Sequence, residues 1–200
     1  MNVTALLAHP DDELSCAGSL AKFVDAGHNV NLIIAFSDNR GAELHKSASI
    51  LGANLIEHVG DQSQFVWNQE QVIKYDKTVS ATEPDIIISH RIADHNTSHV
   101  PLAQIARTVA RKNACELWEI DSPLPGGLDT EGAKNNSLID IDGQWVRKQA
   151  AINCYESVAA SLPGWANAFR HRDLHNGWLL HQDIHHHYAE AMRLVKFVWK

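Results

Sequence analysis

The stretch that decides the fold runs Val3-Thr-Ala-Leu-Leu-Ala-His9-Pro10-Asp11-Asp12-Glu13. Its first part, residues 3–8, is typical of a fully buried strand. Three adjacent carboxylates cannot continue such a strand, because an unpaired buried charge is very costly. A helical pattern follows Glu13, so the acids lie at a strand-to-helix junction. Open α/β sheets place their ligand sites at such junctions.

Beyond this junction, compact apolar runs alternate with amphipathic segments. The runs that predict strands are residues 3–8, 30–36, 54–59, 85–89 and 116–120. The segments that predict helices between them are residues 14–24, about 45–51, 69–81 and about 102–109. This alternation predicts an α/β fold with a mostly parallel sheet that is covered by helices on both faces.

The C-terminal part of the chain has a less regular pattern. A loop rich in Pro, Gly and Asp spans residues 121–136, and a short strand is expected over 137–141. Asp142 is suited to cap a helix that runs to about residue 160. A second helical stretch reaches about residue 180, and the tail from His185 fits either a helix or a strand.

The composition favours a single domain over residues 1–200 and argues against several classes of partner. The chain has 200 residues, 44% of them hydrophobic, and a net charge of −7. Dispersed negative charge disfavours nucleic acid and anionic membranes as general partners. We expect no membrane span and no signal peptide, since no apolar run is long enough and no basic leader is present. Three widely spaced cysteines suit a reducing cytoplasm.

The strand ends carry side chains that can bind a metal ion. His9 and the pair Asp11–Asp12 follow one strand, and His99 follows another. Two imidazoles and one carboxylate make a three-ligand site that leaves a position open for water, as in zinc hydrolases. The second aspartate is then available as a base that faces the substrate.

Simpler interpretations of the same residues remain open. Asp11 or Asp12 can cap the following helix, with Glu13 favouring its positive end. His99 can be solvated at a helix start. The histidine triplet at 185–187 can form an exposed polar turn, or one of its members can face the site.

The motif Ala8-His-Pro-Asp-Asp-Glu13 resembles that of the LmbE-like, or PIG-L, family of zinc-dependent de-N-acetylases. Weaker similarities extend over nearly the whole chain, in residues 16–22, 27–30, 50–52, 84–90 and 188–191. The resemblance implies a Rossmann-like three-layer sandwich. It also implies that the substrate is a small N-acylated amino sugar or one of its conjugates, and that the chain forms a homo-oligomer, often a hexamer.

The resemblance further assigns roles to individual residues. His9, Asp12 and His99 fall at the positions that bind Zn²⁺, or another divalent ion such as Fe²⁺, and Asp11 falls at the general base. We expect Asp94 to orient a ligating histidine. Arg40, Asp38 and His187 are expected to contact the substrate.

The chain departs from the family pattern at the third motif. Many members have His-Pro-Asp-His where this chain has Asn96-Thr-Ser-His99, so Asn96 replaces a histidine and Ser98 an aspartate. The replaced histidine is usually assigned to protonating or stabilising the tetrahedral intermediate. We therefore expect the neighbouring His95 to act as the catalytic donor, with His186 or His187 of the tail as the alternative.

The resulting prediction is a metal-dependent hydrolase that removes an acyl group, typically acetyl, from an amino sugar or its conjugate. The departures at Asn96 and Ser98 leave two alternatives open. One is a non-catalytic protein that holds a metal and serves as a scaffold. The other is an amidase for a different N-acyl substrate.

Overall fold

The computed structural model describes residues 1–37, 39–57, 67–94, 96–120, 135–183 and 185–198. Asp38, His95 and most of the 121–136 loop lie outside the described residues. The strands are β1 (Asn2–Leu7), β2 (Asn29–Ile34), β3 (Asn54–Glu57), β4 (Ile86–Ser89), β5 (Glu116–Ile120), β6 (Ser137–Asp140) and β7 (Ala189–Lys196). The α-helices are α1 (Ala17–Asp25), α2 (Gly41–Leu51), α3 (Gln69–Ser80), α4 (His99–Lys112), α5 (Trp145–Ile152), α6 (Glu156–Ser161) and α7 (Trp165–His181). Short 3-10 helices precede α1 at Asp12–Ser15 and α5 at Asp142–Gln144.

The strands form one mostly parallel sheet in the order β3-β2-β1-β4-β5-β7-β6. Strands β1 to β5 pair in parallel, whereas β7 is antiparallel to both of its neighbours. The chain moves outward from β1 to β3, then crosses back and adds β4 on the other side of β1. The boundary between β1 and β4 is therefore a topological switch point, where such sheets bind ligands at their carboxyl edge.

Alternate residues of β1 face two separate apolar layers. Val3, Ala5 and Leu7 pack with the cluster that includes apolar residues of α1, α2, α5 and α7. Leu6 and Ala8 pack with the opposite cluster, which draws on α3 and α4. This is the expected three-layer α/β sandwich. In the described ranges, every helix is too short or too polar to span a bilayer.

The C-terminal part differs from the sequence prediction in two ways. The single helix expected over residues 142–160 is interrupted between Ile152 and Glu156, because Tyr155 turns into the core and donates its hydroxyl hydrogen bond to Glu13 Oε1 at 2.6 Å. The prediction that the Asp142 side chain caps this helix is also wrong. Its carboxylate instead accepts from the backbone amide of Tyr188 and contacts His187.

Candidate metal centre

The centre lies at the switch point, where β1 and β4 end side by side. The two strands pair in parallel, with Leu6 opposite Ser89. His9 follows β1 directly, and His99 is the first residue of α4, which follows β4. Both histidines are buried, with 8% and 6% of their surfaces exposed. The topology therefore brings two residues that are ninety positions apart to one edge of the sheet.

Three side chains converge with their donor atoms nearly equally spaced. His9 Nδ1 lies 3.3 Å from Asp12 Oδ2, His99 Nε2 lies 3.3 Å from Asp12 Oδ1, and the two nitrogens are 3.3 Å apart. Ligands of a tetrahedral zinc ion with bonds of 2.0–2.1 Å are about 3.4 Å apart. The donor set and its spacing therefore fit a zinc ion held by His9, Asp12 and His99.

The outer nitrogens of both histidines have hydrogen-bond partners that set the ring tautomers. His99 Nδ1 is 2.9 Å from Asp94 Oδ2, which leaves Nε2 to face the centre. His9 Nε2 is 3.0 Å from Ser98 Oγ, and that hydroxyl donates to Asn96 Oδ1 at 2.7 Å. His9 therefore donates through Nε2 and keeps the Nδ1 lone pair for a metal. Such partners orient metal ligands and raise their basicity.

This arrangement explains the departure at the third motif. Ser98 supplies the partner of His9, and Asn96 completes the hydrogen-bonded chain. The Asn96 side-chain oxygen accepts from both the backbone amide and the hydroxyl of Ser98, at 3.0 and 2.7 Å. Asn96 thus supports a ligand and holds no acidic proton.

His90 is a part of the centre that the sequence prediction did not single out, although it follows β4 directly. Its ring is buried and stacks on that of His99, with centroids 3.8 Å apart. Its Nε2 accepts a hydrogen bond from the backbone amide of Ala8 at 2.9 Å, so that lone pair is already used. Burial lowers the pKa of His90, which keeps the ring neutral. His90 thus forms one wall of the site.

Asp11 lies beside the metal ligands in a constrained backbone conformation. Its φ is +94°, which few residues other than glycine adopt, and its backbone amide donates to Glu13 Oε2 at 3.0 Å. Glu13 is itself buried and accepts from Ser47 and Tyr155, each at 2.6 Å. Neither aspartate is a simple helix cap, since Asp12 Oδ2 accepts from the preceding backbone amide of His9 at 2.7 Å. Asp11 makes no capping bond, although it precedes the 3-10 helix.

The surroundings shift the pKa values of the two aspartates in opposite directions. Burial together with the charges of Asp12 and Glu13 raises the pKa of Asp11 to about 8, although Arg40 opposes the shift. Arg40 Nη1 lies 2.9 Å from Asp11 Oδ2. Burial also opposes ionisation of Asp12, but the imidazoles of His99 and His90 outweigh it and hold the pKa of Asp12 well below its usual range. Asp12 is thus suited to ligation and Asp11 to proton transfer.

His99 is the candidate ligand whose protonation would oppose metal binding. Burial disfavours its charged form, but Asp12 and Asp94 outweigh this and raise the pKa of His99 to about 10 without metal. A metal ion must therefore displace a proton from Nε2. Binding is expected to weaken as the pH falls.

The structure brings together most, but not all, of the predicted site residues. His9, Asp12 and His99 contact one another, and Asp94 contacts His99. Asp11 precedes Asp12 in the chain and pairs with Arg40. His187 instead contacts Asp142 and Asp183 near the end of α7. Asp38 and His95 lie outside the described residues.

A buried ion-pair network supports the segment that follows Asp12, and sequence reasoning missed its members on α5 and α7. Glu190 of β7 accepts from the first turn of α1, at the amides of Gly18 (2.9 Å) and Ser19 (2.7 Å), so it serves as the helix cap that no local residue supplies. Lys148 Nζ lies 2.6 Å from both Glu190 and Asp173. The only sequence signal was the short similarity over residues 188–191.

Comparisons with known proteins agree with this fold. The family described as PIG-L: GlcNAc-PI de-N-acetylase matches residues 4–110. The 4-carboxy-2-hydroxymuconate hydratase GalB from Pseudomonas putida superposes with a TM-score of 0.85 at 16% identity, covering 100% of this chain and 98% of that one. The conserved protein TT1542 from Thermus thermophilus gives 0.81 at 19% identity, with coverages of 100% and 96%.

A deacetylase of known substrate is also similar. N,N'-diacetylchitobiose deacetylase from Pyrococcus horikoshii gives a TM-score of 0.77 at 15% identity, covering 97% of this chain and 83% of that one. At these identities the likeness concerns the fold alone. Comparison with curated protein sequences gives no match. Because the family match spans more than half of the residues and includes both strand-end motifs, the chain belongs to the PIG-L, or LmbE-like, family.

Proposed function

We propose that the protein is a metal-dependent hydrolase that removes an acyl group, typically acetyl, from an N-acylated amino sugar or its conjugate. The observation that carries the proposal is the convergence of His9, Asp12 and His99 with Asp11 beside them. Family membership and the likeness to a deacetylase support the reaction class.

The residues present fit a divalent ion with mixed nitrogen and oxygen ligands, and zinc is the proposed occupant. His9, Asp12 and His99 would hold it. When bound, zinc supplies an electrophile that polarises an acyl carbonyl and lowers the pKa of water. Fe²⁺ is an alternative, since two histidines and one carboxylate also suit that ion.

Asp11 is the proposed general base. Its raised pKa matches proton abstraction near neutral pH, where a base is most effective when its pKa lies close to the working pH. The Arg40 guanidinium holds one carboxylate oxygen at 2.9 Å and so orients the other. Asp11 would take the proton from water as that water attacks the acyl carbon.

The leaving amine needs a proton donor, and Asn96 holds no acidic proton. We propose His95 as that donor because it immediately precedes Asn96. The raised pKa of Asp11 also allows it to return the proton that it accepted. Arg40, Asp38 and His187 stay predictions as substrate contacts.

Release of acetate from a panel of N-acetyl amino sugars and their conjugates tests the proposal. The zinc-loaded protein is expected to turn over at least one of them, and His99→Ala is expected to lose turnover together with the zinc held by this centre. Stoichiometric zinc with no turnover on any N-acyl substrate would favour the alternative of a metal-holding scaffold. Release of formate or a longer acid instead would favour an amidase of different acyl specificity.

A second candidate is hydration of an unsaturated acid. It is favoured by the likeness to the hydratase GalB, which covers nearly all of both chains. Activated water and a base such as Asp11 would serve that reaction without a donor at position 96. Loss of the ultraviolet absorbance of conjugated unsaturated acids, with no release of acetate from the sugars, would favour it.

We propose a cytoplasmic location, which the chain's cysteines support. Cys16 and Cys115 are buried, and no disulfide bond joins Cys16, Cys115 or Cys154 to another cysteine. Cysteines outside disulfide bonds suit a reducing compartment. A homo-oligomer, as the family resemblance implies, stays a prediction that light scattering of the purified protein can check.

A further inference from the structure

A second group of side chains that can bind a metal lies where α7 ends, and it shares no residue with the centre described above. Asp142, His181 and His187 each offer one ligand atom, and these atoms lie within 4.8 Å of one another. We propose that this group, the α7 histidine cluster, is a second site for a divalent transition-metal ion, with zinc as its occupant. The proposal is independent of the proposed function.

Three separate elements build the cluster. His181 is the last residue of α7, and Asp142 begins the 3-10 helix that follows β6. His187 lies just before β7, which pairs with β6 so that Asp140 is opposite Ala189. An ion at this point would join the helix to the edge of the sheet.

The backbone around the cluster is held in place. Asp142 Oδ1 accepts from the amide of Tyr188 at 2.5 Å, and the Tyr188 ring stacks on Trp145 with centroids 4.0 Å apart. A Cβ at Gly177 would lie only 1.9 Å from the carbonyl oxygen of His187, so α7 packs directly against this backbone. Preorganised ligands lose little freedom when they bind an ion.

The donor set suits zinc. The rings of His181 and His187 are stacked with centroids 4.1 Å apart. His187 Nδ1 contacts Asp142, and its Nε2 lies 3.2 Å from Asp183 Oδ2. Two imidazoles and a carboxylate, with Asp183 nearby, are ligands that zinc prefers. Ligands of tetrahedral zinc are about 3.4 Å apart. Because the three donor atoms lie within 4.8 Å of one another, small side-chain rotations bring them to that separation.

Charge and access also favour a cation. Asp140 adds a third carboxylate, 3.3 Å from His181 Nε2, beside those of Asp142 and Asp183. The side chains of His181 and His187 are 30% and 25% exposed, which lets an ion enter from solvent. The competing explanation is a surface ion-pair cluster without metal, and the experiment separates the two.

The test counts zinc per chain by elemental analysis, after the full-length protein is loaded with ZnCl₂ and desalted. We expect two equivalents for the wild type, and one for either His99→Ala or the double variant His181→Ala/His187→Ala. His175→Ala removes another α7 histidine and is the matched control, expected to keep two. One equivalent in the wild type, or two in the double variant, would overturn the proposal.

A second measurement guards against loss of folding in the double variant. In the His99→Ala background, Co²⁺ is expected to give visible absorption bands of a site with nitrogen and oxygen ligands. Adding Asp142→Asn, which keeps an acceptor for the Tyr188 amide, should abolish these bands while the circular dichroism stays unchanged. Bands that survive Asp142→Asn would refute the assignment of this carboxylate.

Discussion

Replacing Ser98 by alanine removes the hydroxyl group that orients His9. The hydroxyl lies 3.0 Å from His9 Nε2 and is buried, so no bulk water replaces it. The variant leaves an imidazole N–H without this partner, at a cost of about 1–3 kcal/mol. Loss of such a supporting partner typically lowers metal affinity about 10- to 100-fold. That factor corresponds to about 1.4–2.7 kcal/mol of zinc-binding free energy.

The assay is a competition titration of Zn²⁺ between the protein and a chelator of known affinity, at fixed pH. Ser89→Ala is the matched control. Its hydroxyl is also buried, but it donates to the Leu6 carbonyl at 2.8 Å instead of contacting an imidazole. Ser98→Ala should weaken zinc binding at least tenfold, while Ser89→Ala should leave affinity within about twofold. Equal effects of the two substitutions, or none from Ser98→Ala, would refute the orientation argument.

Three further substitutions test the remaining reasoning. Asp11→Asn should keep stoichiometric zinc, because Asp11 is not among the proposed ligands, while kcat falls about 10²–10⁴-fold through loss of the proposed base; full activity would exclude that role. Arg40→Gln removes the positive charge that lowers the pKa of Asp11. The acid limb of the pH profile of kcat/KM should therefore move to higher pH by about one pH unit or more. An acid limb at the wild-type pH would contradict this role of Arg40. Lys148→Met leaves the carboxylates of Asp173 and Glu190 buried without their shared cation. The free energy of unfolding, measured with urea, should fall by about 3–5 kcal/mol. A fall of less than about 1 kcal/mol would contradict a stabilising role for the Lys148 ammonium group.

The fold was predictable because the strand pattern is strong. The strand at Glu116–Ile120 agrees with its predicted bounds; β1 is shifted by one residue at both ends, and β4 starts one residue later than predicted. A fully apolar run between turn residues leaves few other interpretations. The tail was ambiguous because its pairing partner, β6, is distant in the sequence. Tyr155 broke a predicted helix because its hydroxyl reaches Glu13 in the core, which local propensity cannot register.

The centre was predictable in part. Adjacent acidic residues directly after a buried strand usually indicate a ligand site, so the sequence predicted His9, Asp11 and Asp12 as site residues. The role of Ser98 was not readable, because serine at a helix start is normally a cap, and only its 3.0 Å contact with His9 shows otherwise. His90 was passed over because burial and stacking on His99, which define its role, are long-range properties.

The sequence by itself determined the alternation of strands and helices, the junction at residues 9–13 and the class of ligand that such side chains can hold. These follow from local rules, since burial costs and periodicity act over a few residues. The tertiary structure distinguished the two aspartates, since burial raises the pKa of Asp11 whereas the imidazoles of His99 and His90 outweigh burial and lower that of Asp12. It also decided that Glu190 caps α1 and that α7 carries a histidine cluster. Electrostatic shifts and ligand geometry depend on neighbours in space, and only the folded chain brings those neighbours together.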